Sequence, residues 1–132
     1  MSNLSPPPRR QPWQTGALAY LGAVFIALGA WAACAPTSFG SSIADFGEPN
    51  IHLIHDYAAA SLAIGIALAV AARQISWRAP VLWVAAWWNG LHTVSHVIDI
   101  DDAGSRAVGI AEIGLLAAVT IALVLFAREV SR

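Results

Sequence analysis

Residues 106–127 read RAVGIAEIGLLAAVTIALVLFA, and Arg106, Glu112 and Thr120 are the only polar side chains in the run. A helix rises about 1.5 Å per residue, so roughly 20 such residues cross a hydrocarbon core about 30 Å thick. Three more runs of this kind precede it, at residues 15–34, 53–72 and 80–98. A helix satisfies its own backbone in lipid, whereas an open strand edge does not. The pattern predicts an all-α fold: a bundle of four antiparallel transmembrane helices joined by short connections. Proline and glycine punctuate the gaps, with Pro36 and Gly40 after the first run, Pro49 before the second, Pro80 in the first turn of the third and Gly104 before the fourth.

Composition points the same way. Hydrophobic residues make up 58% of the chain and charged residues only 11%, against about 25% charged in ordinary soluble domains. The lipid bilayer is therefore the expected surrounding. Over 132 residues the spans leave no room for a separate soluble catalytic domain, so residues 14–132 form one membrane domain. The preceding residues 1–13 hold Pro6, Pro7, Pro8 and Pro12 and are expected to be a disordered cytoplasmic tail. The formal net charge is −1 and every basic residue is Arg, a balance that argues against nucleic acid as a partner. Cys34 is alone and makes no intramolecular disulfide. The first apolar run exceeds the roughly 7–15-residue core of a signal peptide. Trp31 also occupies the position three before Cys34, where a lipoprotein cleavage site takes a small aliphatic, so the run is expected to remain as a span.

Arginine placement sets the orientation, because short loops rich in Arg stay cytoplasmic. Arg9 and Arg10 precede the first run, Arg73 and Arg78 lie between the second and third, and Arg128 and Arg132 follow the fourth. Only Arg106 falls on the other side, which carries Asp45, Glu48, Asp99, Asp101 and Asp102. Both termini are expected in the cytoplasm, and the Arg-only basic loops fit a bacterial inner (plasma) membrane.

All four histidines fall near the ends of the second and third runs that share the acidic face. Asn89, His92, His96 and Asp99 follow one another at spacings of three, four and three, a single stripe on a helix. His52, His55 and Asp56 open the second run, and Glu112 lies nearly two turns into the fourth. Ionisable groups within membrane spans are costly unless paired, solvated or bound to something. Neutral imidazole suits zinc, iron and copper, and carboxylates ligate directly or fix a histidine tautomer. The expected site is therefore a transition metal ion, or haem b, on His55, His92 and His96, with Glu112, Asp56 and Asp99 as further metal ligands or their supports. For haem, His55 and a histidine of the third run would supply axial ligands from neighbouring helices. The zinc-protease motif is absent, since Thr93 follows His92, and the paired Glu-x-x-His motifs of di-iron bundles are absent too. The acidic loop from Asp99 does not complete a calcium loop, because Ala103 and Ile110 occupy positions that need oxygen ligands. No catalytic residue is assigned by the sequence.

Three further features carry expectations. Ala19, Ala23 and Ala27, with Gly22 and Gly29 alongside, allow close helix approach, either within the bundle or in a homo-oligomer. Trp77 and Trp83 are expected as interfacial anchors, with Trp87 and Trp88 deeper. The connection at residues 35–50 contains Phe39, Ile43 and Phe46, apolar side chains suited to folding over the histidine layer as a lid or to anchoring at the interface.

The HxxHD pattern at His52–Asp56, followed by HxxxHxxD from His92 to Asp99, resembles a group of small four-helix membrane proteins of high-GC bacteria. That group commonly has a third histidine where this chain has Asp99. It has no established activity, so the resemblance implies the four-helix fold and little else. Two functions of another kind remain beside metal or haem binding: an accessory subunit of a larger membrane complex, and a permease-like protein for a small molecule or ion whose histidines relay protons.

Overall fold

A computed structural model describes residues 11–47 and 50–132. The described chain is helical: α1 Pro12–Cys34, α2 Pro36–Ile43, α3 Ile51–Arg73, α4 Ile75–Ile98, a 3-10 turn Ile100–Asp102, and α5 Arg106–Val130. Most of the predicted tail lies outside the described residues, but Pro12 and Trp13 belong to α1. Pro12 opens that helix, where its missing N–H costs nothing. The Asn50 side chain accepts from the Leu53 N–H at 3.1 Å and so starts α3.

Three helices, α1, α3 and α5, are long and apolar enough to cross a membrane. Of the four predicted spans, α4 is the exception. Its 24 residues give ample length, but Arg78, Asn89, His92, Ser95 and His96 lower its apolarity. It also begins earlier than Pro80 suggested. Gln74 alone separates α3 from α4, and Pro80 lies inside the helix.

Each long helix lies beside the next with the end of one near the start of the other. Tyr57 near the start of α3 meets His92 near the end of α4, and Arg78 near the start of α4 meets the last turns of α3. Asn89 of α4 reaches Leu116 and Thr120 of α5. The α1–α3 seam is built on glycine: a Cβ on Gly65 would stand 2.7 Å from Ile26 Cγ1 and 2.9 Å from the Gly22 carbonyl oxygen. Gly22 and Gly29 thus serve packing within the fold, whereas Ala19, Ala23 and Ala27 face away from it. The core at the Gln74 end is a layer of Leu18, Leu68, Leu82 and Leu123, each fully or almost fully enclosed.

Arg78 is 2% exposed in that half of the molecule. Its guanidinium donates to Gln14 Oε1 and Thr15 Oγ1, each at 2.8 Å, and more loosely to the Ala71 and Ala72 carbonyls at 3.4 Å. The last carbonyls of a helix lack intrahelical partners and carry partial negative charge, so a buried cation there is compensated without a carboxylate. The sequence reading treats Arg78 only as a loop charge; it is also the clamp that joins α1, α3 and α4.

Candidate functional site

At the opposite end, α4 and α5 face each other through two polar pairs. Asn89 donates from Nδ2 to the Leu116 carbonyl at 2.7 Å and to Thr120 Oγ1 at 2.8 Å. Two turns further along α4, His96 Nδ1 stands 3.6 Å from Glu112 Oε2, two turns back along α5. The spacing of both pairs repeats the helical period, which is why one face of each helix holds both.

The pairs differ in one respect. The Asn89 Nδ2 group has an acceptor on each side. His96 Nδ1 and Glu112 Oε2 are enclosed and have no hydrogen-bond partner, although 12% and 22% of the two side chains remain exposed. The atoms that face each other are shut in, while other parts of the residues reach the surface. Among the described residues only Ser61 Oγ shares this condition. The two atoms are within ion-pair distance of each other but make no hydrogen bond, and a buried polar atom without one forfeits about 1–3 kcal/mol.

Aromatic rings wall the pair. Phe46 meets His96 edge-on at 4.4 Å between centroids, and His92 meets His96 at 4.7 Å. Tyr57 lies 5.6 Å from His92, and Trp88 stacks on it at 6.3 Å. Phe39 does not cover the histidines as the lid reading implies; it is buried against Trp31 and Tyr57, behind the ring that touches His92. Beside Glu112 opens a cleft of about 250 Å³, with Ser41, Ser42, Asp45, Phe46 and Ser105 in its walls.

Of the residues proposed from sequence, the structure draws together His92, His96 and Glu112. It leaves His55, Asp56 and Asp99 exposed, and Asp56 lies 3.7 Å from the exposed His52. The cause is rotational. Ile54, Tyr57, Ala58 and Ser61 form the inward face of α3, and at about 100° per residue His52, His55 and Asp56 fall on the other side. Counting from loops estimates depth along a helix but not angle about its axis. Arg106 pairs with Asp101 at 2.9 Å, leaving Glu112 to His96. Cys34 is exposed at the end of α1.

Among the described residues, no three His, Cys, Asp or Glu side chains are grouped closely enough to hold a metal ion as they stand. The centre is a pair, with His92 one turn away. Sequence reading misses Tyr57 and Thr120. A signal for Thr120 was present, since it follows Glu112 by two turns on one face. No family model, curated protein or solved structure matches the chain.

Proposed function

We propose that this chain is a small multi-pass protein of a bacterial inner membrane, crossing it four times as an antiparallel bundle with both termini in the cytoplasm. We further propose that His96 and Glu112 bind a transition-metal ion in its outer leaflet. The observation that carries the second reading is the pair of enclosed atoms that face each other at 3.6 Å without a hydrogen bond. Two donors that each sit about 2.0–2.2 Å from a zinc-sized ion stand about 3.3–3.6 Å apart at the tetrahedral angle. His92, whose ring lies 4.7 Å from that of His96, is the nearest candidate for a third ligand, and water in the cleft beside Glu112 would fill what remains. Such an open position is what catalytic metal sites keep, though no reaction is assigned.

The four-span arrangement is supported by α4 itself. Asn89 is buried and bonded to α5, His96 faces Glu112, and the single-residue junction at Gln74 gives the helix no room to leave α3. Its polar groups therefore turn toward partners rather than lipid. The arginine distribution supports the orientation.

A metal ion fits this donor set better than haem b, because His55, the α3 ligand a bis-histidine haem needs, stands on the outward side. A permease is supported less well: the polar file His96, His92, Asn89 ends at the closed leucine layer of Leu18, Leu68 and Leu82. The accessory-subunit reading makes His96–Glu112 a helix-joining pair, but Asn89 with Thr120 already has the closed geometry of such a pair. Elemental analysis of the purified full chain, with its visible spectrum, tests the proposal. Stoichiometric zinc, iron or copper without a Soret band is expected; a Soret band assigns haem instead, and neither leaves the accessory role.

A further inference from the structure

The segment at residues 44–47 is tied across the molecule. The Gly104 N–H donates to the Asp45 carbonyl and the Gly47 N–H to the Asp102 carbonyl, each at 2.9 Å, so that Phe46 and Ala103 form a single antiparallel bridge. Glycine is favoured at one end of this clasp and accommodates a side chain at the other. Gly47 has φ +66°, the left-handed region open to glycine, and a Cβ on residue 104 would overlap the Asp45 carboxylate. The clasp joins the segment after α2 to the connection between α4 and α5 and forms part of the wall of the cleft that Glu112 also lines.

Its position relative to the centre is specific. Phe46 rests edge-on against His96, and Asp45 and Glu112 line the same cleft. Two backbone hydrogen bonds, each worth about 0.5–1.5 kcal/mol net, hold this short irregular segment to the α4–α5 connection. Local openings of low cost are typical of such segments.

We infer that residues 44–47 are a gate: release of the clasp to residues 102–104 lifts Phe46 from His96 and opens the way for a divalent cation from the cleft that Asp45 and Glu112 line to the His96 imidazole. The ligand class rests on the proposed metal-binding function; the gate itself rests on the clasp and on Phe46. With the clasp closed, Phe46 shields the imidazole from water. The Asp45 carboxylate, held against Gly104, is the first oxygen ligand an incoming cation meets.

The test reads access to His96 without requiring a metal. Full-length protein in detergent is treated with diethyl pyrocarbonate, and carbethoxylation of each histidine is followed by peptide mass spectrometry, the exposed His52 and His55 serving as internal references. In the unaltered chain His96, its side chain 12% exposed against 87% for His52, should react about tenfold or more slowly than His52. Phe46→Ala should remove most of that protection. Gly104→Ala, which displaces the Asp45 carboxylate and leaves Phe46 in the chain, should remove part of it and guards against a Phe46 variant that fails to fold. His96 reacting as fast as His52 in the unaltered chain, or unchanged in both variants, overturns the gate. A cobalt(II) titration of the same samples separates the two ideas. Gated labelling without cobalt binding retains the gate and rejects the metal; cobalt binding with ungated labelling does the reverse.

Discussion

His96 and Asn89 lie on the same face of α4 two turns apart, yet they have different surroundings because α5 offers them different partners. Thr120 and a carbonyl meet Asn89 at full hydrogen-bond distance; Glu112 stops short of His96. Replacing Asn89 with Ala should cost about 0.6–2 kcal/mol of bundle stability in a reversible detergent-denaturation assay and leave metal content unchanged. Arg78→Ala should be worse, about 2–4 kcal/mol, because the Gln14 side chain and the last α3 carbonyls lose a charged donor together. Unfolding curves of the two variants should rank in that order. His92 and His96 were legible in the sequence because helical spacing alone puts them on one stripe of α4, and Glu112 because its distance from the start of the fourth run puts it at a similar depth on α5. The exclusion of His55 was not, because nothing local to HxxHD tells which side of α3 meets α4. That choice is made by Tyr57, Ala58 and Ser61 packing inward, and Phe46 reaches His96 only through the backbone clasp.

Between elements, the seams are set by small residues. Gly22 and Gly65 let α1 and α3 approach until backbone meets backbone, as in membrane helix pairs joined by van der Waals packing rather than by expulsion of water. Gly65→Val should destabilise the protein by about 1–3 kcal/mol through overpacking. Gly114→Ala, where nothing lies within 4 Å of the added Cβ, should be neutral or stabilising by up to about 1 kcal/mol. Thermal unfolding of the two variants checks the contrast. The four long helices and most of their ends followed from apolar run length, but two features of the elements did not. Pro80 marked the first turn of α4 in the sequence, whereas the helix starts at Ile75 and carries the proline within it. The short helix α2 appeared only as a connection, since PTSFGSSI is too short and too rich in serine for a periodic signal. Its Phe39 is buried, which fixes the helix against α1 and α3 and sets residues 44–47 on their path toward His96.

Across the whole molecule, the Gln74 end holds the buried Arg78 clamp and the leucine layer, and the Asp45 end holds the histidines, the carboxylates and the gate. This polarity matches the segregation of Arg and Asp along the chain. Reporter fusions following Gln74 and Arg132 should register cytoplasm, and one following Asp102 should register the outer compartment; the reverse pattern would move the centre to the inner leaflet. His96 and Glu112 are proposed to hold a metal ion between them. The most direct measurement is a cobalt(II) titration of the purified full chain, followed by its visible d–d absorption. The unaltered protein should saturate at one cobalt per chain with a spectrum of low-coordinate nitrogen and oxygen ligation. His96→Ala combined with Glu112→Gln should lose that spectrum while retaining helical content. Equal cobalt binding by the double variant, or none by the unaltered chain, would contradict the account.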